Sequence, residues 1–284
     1  MRKVSLILGF FDGVHAGHRK VIKTAVDYAK ENGLKTILLR PNLAPAEFFG
    51  KSFSYILPRN RNFELIHCLG VDEIEPIFMQ DSAKTSAADF LAEIVNKYNP
   101  ASITTGFNHT FGANRSGDSK LLEANQEHYG YKYFCVEPCI IDDNLVSSTY
   151  IKQQLLEDKL EYANKLLNSS FYIEGIVQKG NQLGRELGFP TANLTYPEKL
   201  VKIPYGVYKV KANNKPAILN WGIRPTIGES KEVLEVHIPN YEENLYNSSL
   251  KIEFIKKIRD EKKFATIEEL KEQISKDVEE CLKL

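Results

Sequence analysis

The chain has 284 residues, 43% of them hydrophobic, and its 37 basic side chains balance 37 acidic ones. Such a balance creates no overall field to draw the molecule to nucleic acid or an anionic membrane, so any phosphate binding must be local. At roughly 100–200 residues per domain the length predicts two domains, each able to bury its own core.

Val4–Phe11 is apolar and follows Arg2 and Lys3, but Asp12 and His15 come next, with no small-residue cleavage site. It reads as a first strand, Val4–Leu8, rather than as a leader peptide. The glycine-containing turn Gly9–Gly17 leads into a helix with Val21, Ile22, Ala25, Val26 and Ala29 on one face, stopped at Asn32-Gly33. Thr36–Leu39 is a second strand, and the β-turn-α-β unit should be right-handed with parallel strands. A helix over Asn62–Leu69, a strand over Glu73–Phe78, a helix over Ser86–Tyr98, and strands over Ser102–Thr105 and Tyr131–Val136 continue the alternation of an α/β layered domain. A further helix is expected from Ser148, with Ile151, Leu155, Leu156, Leu160, Ala163 and Leu166 on its inner side.

After Asn168-Ser169-Ser170 the texture becomes β-rich: Phe171–Val177, Val207–Val210, Ala217–Trp221, Val233–Ile238 and Leu250–Ile258, with Pro, Gly and Asn between them. That pattern suggests an antiparallel barrel or sandwich. Thr266-Ile-Glu-Glu269 is a capping box opening a last helix, whose apolar positions are Ile267, Leu270, Ile274, Val278 and Cys281. The domain boundary should fall within Asp158–Ser170, giving domains 1–165 and 166–284. Cys68, Cys135, Cys139 and Cys281 form no C-x-x-C pair and no disulfide framework, and are expected as buried thiols in a reducing cytosol. No apolar run approaches the length of a membrane span.

Two segments carry chemistry. In Gly9-Phe-Phe-Asp-Gly-Val-His15-Ala-Gly-His18, Gly13 and Gly17 permit close approach to a bulky anion, and the helix start offers unpaired N–H groups. His15 and His18, three apart, can both donate to oxygens on which charge grows. An isolated H-x-x-H would more simply be a surface or metal-binding pair. The strand before it and the flanking glycines favour phosphate. In Gly175–Asn193 the glycines at 175, 180, 184 and 188 suggest a loop that covers phosphate with backbone N–H groups. Thr191 and Asn193 point the same way on an extended segment, as hard oxygen ligands suited to Mg²⁺ on a nucleotide.

The first string resembles the H-x-G-H signature of the nucleotidyltransferases, in the branch that makes FAD. Gly106-Phe-Asn-His-Thr-Phe-Gly112 with Gly117-Asp118, and Ser147-Ser-Thr-Tyr-Ile-Lys152, resemble two further motifs of that branch. Gly188-Phe-Pro-Thr-Ala-Asn193 resembles the signature of riboflavin kinases. Tyr205–Tyr208, Asn220–Thr226, Leu234–His237, Asn244–Tyr246 and Ile258–Phe264 match that family's blocks in order. Three departures stand out: Lys152 where arginine is usual, His109 where an aromatic is usual, and Leu39-Arg-Pro-Asn-Leu-Ala-Pro45 in place of F-x-P-H-P. A lysine lacks the planar fork of arginine. Asn240 and Asn247 replace the usual Asp and Gly.

The resemblance, spanning residue 4 to about residue 280, is to the bifunctional bacterial riboflavin kinase/FAD synthetases. It implies an N-terminal nucleotidyltransferase-type, Rossmann-like α/β domain with a parallel sheet. It also implies a C-terminal six-stranded antiparallel riboflavin-kinase barrel with a terminal helix. The implied catalytic residues are His15, His18 and Glu235, the last as general base. Nucleotide and phosphate binding falls to Gly9, Phe11, Asp12, Gly17, Asn108, Ser148, Thr149 and Lys152, with Gly175, Gly180, Gly184 and Gly188. Phe49, Phe111, Arg224, Arg259 and Glu261 would meet the flavin, Pro45 and Phe49 lining its pocket. Thr191 and Asn193 would hold the metal. The implied partners are riboflavin, FMN and ATP with Mg²⁺, the flavins serving as substrate and product rather than as prosthetic groups, in a cytoplasmic enzyme with no nucleic-acid or membrane partner. Two other readings stay open at this point: a kinase with weak or lost adenylyltransferase activity, and a flavin- or nucleotide-sensing protein without turnover.

Overall fold

The computed structural model describes residues 2–180, 184, 187–225, 230–241 and 243–283. They form two units, Met1–Tyr150 and Ile151–Leu284.

In the first unit the elements run β1 (Val4–Leu8), α1 (Ala16–Glu31), β2 (Lys35–Pro41), α2 (Pro45–Phe48), α3 (Arg59–Cys68), β3 (Glu73–Ile77), α4 (Met79–Ser82), α5 (Ala87–Tyr98), β4 (Pro100–Gly106), α6 (Ser119–Ala124), α7 (Gln126–Tyr129) and β5 (Lys132–Val136). A small hairpin, β6 (Ile140–Ile141) and β7 (Asn144–Leu145), follows. The five long strands pair in the order β3-β2-β1-β4-β5, all parallel. Strand alternation sorts the core into two layers. Leu6, Leu8 and Leu39 face Phe90, Leu91 and Ile94 of α5, whereas Ile7 and Leu38 face Val21, Ile22, Ala25 and Val26 of α1. A sheet covered on both faces leaves its carboxyl edge as the natural place for a ligand.

The second unit contains α9 (Leu160–Leu167), β8 (Tyr172–Ile176), β9 (Ala192–Leu194), β10 (Gly206–Ala212), β11 (Lys215–Pro225), β12 (Ser230–His237), β13 (Ser249–Arg259) and α10 (Ile267–Leu282). Helix α8 (Ser148–Leu156) runs across the division between the units. Six strands pair in the order β8-β13-β10-β11-β12-β9, all antiparallel, and a bridge between Gln178 and Asn193 draws the two edges together. Trp221, Tyr208, Phe171 and Phe254 fill the barrel. The Trp221 indole donates to Ile203 O at 3.1 Å and stacks on Tyr196.

Several expectations need correction. The helix expected from Ser148 is two helices, broken where Asp158 takes a left-handed φ of 64°. The break turns Leu156 out to solvent, 58% exposed, so it is not an inner residue. Ile267, in the first turn of α10, is likewise exposed, while Cys281 at the other end is buried and lies 3.2 Å from Ala217 O. Of the four thiols only Cys281 is buried. All four are free, with Cys68 and Cys135 exposed and Cys139 half-buried. Cys135 sits on β5, an edge strand with one side open. Among the described residues no helix is long and apolar enough to cross a membrane.

Helix α9 packs with the barrel. Leu160, Ala163, Leu166 and Leu167 are buried, Asn164 Nδ2 donates to Phe254 O at 2.8 Å, and Asn164 Oδ1 accepts from Phe171 N at 2.7 Å. A fragment Ile151–Leu284 is therefore expected to unfold cooperatively in urea, and a fragment starting at Phe171 is not. Losing three buried leucines at about 1.5–3 kcal/mol each consumes most of a stability of about 5–15 kcal/mol. A non-cooperative transition in the longer fragment would show that the barrel needs the first unit.

Candidate functional site

The first site lies at the carboxyl edge of the parallel sheet, where β1 turns into α1. Phe11 and Val14 hold left-handed φ values of 56° and 44°, strained for a phenylalanine and more so for a β-branched valine. The turn ends on His15, which caps α1: its Nδ1 accepts from the N–H of His18 at 3.3 Å. With that lone pair engaged, a neutral His15 carries its proton on Nε2, free to donate. The two imidazoles stack at 3.6 Å and 18°. A Cβ on Gly17 would come within 3.2 Å of the His15 ring, so the bare glycine makes room for it. Burial lowers His15 to about 4. Burial, helped by His15, holds His18 well below its ordinary range. Near neutral pH the pair is uncharged and offers N–H donors.

That shift predicts a pH effect. His15 stays neutral in the fold down to about 4, whereas an unperturbed histidine titrates near 6.5. Between these values the unfolded chain binds more protons, so stability rises with pH through the window and is lost as the pH falls through it. At about 1.36 kcal/mol per unit the loss is on the order of 3 kcal/mol. In urea unfolding, His15→Asn should gain on the wild type as the pH drops from 7 to 5. A pH-independent difference would mean that the buried ring does not resist protonation.

Phe11, Asp12 and Ser148 meet on the same turn, each with its own partner. Phe11 is buried with its ring 4.9 Å from that of His18. Asp12 is buried, and its Oδ1 accepts from Ile56 N at 3.0 Å. Ser148 donates to Asp12 O at 2.9 Å, while the cap of α8 comes from Ser147, whose Oγ accepts from Tyr150 N. Thr149 is exposed, and Lys152, one turn along α8, is half-buried.

A cavity of about 660 Å³ adjoins Gly9. Pro45, Phe49, His109 and Phe111 line it together with Lys51 and Arg115. His109 stacks near Phe111 at 5.9 Å and 19°, and burial lowers it to about 4, so it serves as an uncharged aromatic there. Asn108 is exposed on the loop after β4 and lies over Gly106 rather than in the cavity. Lys51 and Arg115 escaped the sequence reading. Arg115 follows Asn114 in a left-handed pair, φ 58° and 55°, and such a loop conformation leaves no periodic trace in sequence.

In the second unit one transverse row of directly paired residues crosses five strands: Asn193, Glu235, Asn220, Val207 and Arg259. Direct partners in an antiparallel sheet share a face. Glu235, Asn220, Val207 and Arg259 all line a cavity of about 780 Å³, as do Phe264, just before α10, and Leu270 and Ile274 within it. Arg259 makes a two-pronged ion pair with buried Asp277, at 2.8 and 3.1 Å, which ties α10 to the barrel and commits that guanidinium before any ligand arrives. The Glu261 carboxylate lies over Gly222, where a Cβ would overlap it. Residues 181–183, 185 and 186 of the glycine loop and the side chain of Arg224 lie outside the described ones.

A second cavity, about 600 Å³, is lined by Ala192, Val236, Ile238, Tyr241 and Tyr246. Thr191 borders both cavities. Asn193 lies against Gly180, whose Cβ position its amide would occupy. Gly184 stands against Phe189 O and Thr191, and Gly188 has a φ of 88°. Gly175, expected in the covering loop, is instead inside β8, paired with Leu250. Asn240 and Asn247 flank the segment that lines the smaller cavity, with φ of 57° and 63°. Asparagine tolerates that region better than most residues, which suits Asn247 to a position where glycine is usual.

Taken together, a nucleotide-type parallel sheet with neutral paired histidines and a barrel with a carboxylate in the larger of two cavities that share Thr191 define a two-site phosphate-group transferase. Residues 1–150 match the family model for FAD synthetase, and residues 167–284 match that for riboflavin kinase. Proteins called bifunctional riboflavin kinase/FMN adenylyltransferase are similar throughout. The one from Buchnera aphidicola (Schizaphis graminum) is 36% identical over 96% of this chain and 91% of its own length. The one from Bacillus subtilis is 33% identical over 99% and 92%. The crystal structure of a macrolide-efflux protein from Streptococcus pneumoniae superposes with a TM-score of 0.87 at 25% identity, over 98% of this chain and 94% of that one. The chain belongs to the bifunctional riboflavin kinase/FMN adenylyltransferase family.

Proposed function

We propose that the barrel moves the γ-phosphoryl group of ATP to riboflavin and that the parallel-sheet unit moves the AMP group of a second ATP to the resulting FMN. The observation that carries the first half is Thr191, which borders both barrel cavities while Glu235 lines only the larger one. The larger cavity, with its apolar wall of Phe264, Leu270 and Ile274, suits the flavin, and the smaller suits the nucleotide. The phosphoryl group then passes beside Thr191. Glu235 accepts the proton of the terminal ribityl hydroxyl as that oxygen attacks the γ-phosphorus and ADP leaves.

Thr191 and Asn193, two apart on an extended segment, offer a hydroxyl and an amide oxygen, a hard donor set that fits Mg²⁺. When bound, the ion would neutralise phosphate charge. Arg259, already paired with Asp277, positions α10 over the flavin cavity.

In the first unit the phosphate of FMN attacks the α-phosphorus of ATP and pyrophosphate leaves. His15 and His18, held neutral, donate to the oxygens that gain charge. The 660 Å³ cavity, with Phe49, His109 and Phe111, suits the flavin rings. Incubating the protein with riboflavin, ATP and Mg²⁺, then separating the flavins, should yield FMN first and FAD later. FMN without FAD would confine the activity to the barrel, and neither product would remove the reading altogether.

A further inference from the structure

Three consecutive main-chain oxygens in the turn between β1 and α1 are held from outside by side chains. Phe10 O accepts from Arg40 Nε at 2.7 Å, Phe11 O from Asn62 Nδ2 at 2.9 Å, and Asp12 O from Ser148 Oγ at 2.9 Å. Because the peptide is planar and trans, each pinned carbonyl fixes the direction of the next residue's N–H. The turn needs such restraint. Its two left-handed residues, Phe11 and Val14, cost about 1–3 kcal/mol each and persist only where the surroundings over-determine them.

Arg40 and Asn62 are buried, 2% and 1% exposed, and the Arg40 guanidinium sits 4.1 Å from the Phe10 ring centroid. Yet Arg40 Nη2 and Asn62 Oδ1 are buried with no partner. A pair kept for stability alone would be fully satisfied or apolar, since each orphaned buried polar atom costs about 1–3 kcal/mol. The penalty is tolerated at the turn that delivers His15.

We infer that Arg40 and Asn62 are positioning residues for adenylyl transfer, clamping the Phe10 and Phe11 carbonyls so that the turn's N–H groups and His15 keep the geometry the reaction needs. This rests on the function proposed for the first site. Neither residue lines the 660 Å³ cavity beside the turn, so their removal should lower the rate of reaction more than the affinity for FMN or ATP.

The test uses the full chain, with riboflavin phosphorylation as the internal control. Arg40→Met should lower kcat for FAD formation at least tenfold, leave KM for FMN and ATP within about threefold, and leave the melting temperature equal or higher. Arg40→Lys, which can still donate to Phe10 O, should recover part of the rate. Asn62→Leu should behave like Arg40→Met, and the double variant should lose less than the product of the two. A kcat within twofold of wild type in folded Arg40→Met would overturn the inference, as would a loss matched by a lowered melting temperature. Should Arg40→Met fail to fold, Asn62→Leu decides by the same criteria. Wild-type protein that makes FMN but no FAD would overturn the functional reading of the first site, and this inference with it. Active wild type with unaffected variants overturns the inference alone.

Discussion

His15→Ala and His18→Ala should each lower FAD formation from FMN by about 10²–10³-fold, the range for losing one donor to developing charge, and leave riboflavin phosphorylation nearly unchanged. The imidazoles stack at 3.6 Å, and burial holds both below their ordinary protonation range, so each offers an N–H at neutral pH without carrying a charge into the site. His15 has a second task, since its Nδ1 caps α1 through the N–H of His18. Removing a cap costs about 0.5–2 kcal/mol, and that alone would disturb the turn. His15→Asn separates the tasks, because asparagine is a good cap but cannot reach as far as Nε2. The asparagine variant should melt near the wild type and remain as slow as the alanine variant. Activity restored by asparagine would show that the cap, rather than the ring donor, matters. Equal losses in both activities would show that the histidines serve the fold.

How far the sequence reaches follows from the range of each interaction. Strand β1 and the α1 face Val21, Ile22, Ala25, Val26 and Ala29 were legible because a continuous apolar run and helical spacing are local patterns of a few residues. The single helix expected after Ser148 failed because the apolar pattern continues through Asp158, while the break depends on that one residue's left-handed backbone. Arg40 was invisible as a clamp. It lies at the end of a buried strand, and its acceptor is the carbonyl of Phe10, 30 residues away. Arg259 was legible only through the resemblance of the Ile258–Phe264 block, and its ion pair with Asp277, 18 residues away, left no trace in the sequence.

Glu235 carries the sharpest expectation for the barrel. Glu235→Gln should suppress riboflavin phosphorylation by about 10²–10⁴-fold, the usual contribution of a positioned general base, while conversion of supplied FMN to FAD stays nearly intact. The amide matches the carboxylate in size, so the row from Asn193 through Asn220 to Arg259 should keep its packing and the barrel its melting temperature. What is lost is the ability to take the proton of the ribityl hydroxyl. Because that interaction develops mainly in the transition state, the affinities for riboflavin and ATP should change far less than the turnover rate. Asn220→Ala offers a comparison within the same row. It removes a neighbour of Glu235 that lines the same cavity but cannot act as a base, so it should weaken riboflavin binding more than it slows the chemical step. Single-turnover FMN formation, with circular dichroism as the folding control, distinguishes the two. Near-normal chemistry in folded Glu235→Gln would remove this carboxylate from the mechanism, and His237, two residues along the same strand face and lining the same cavity, would be the next group to replace.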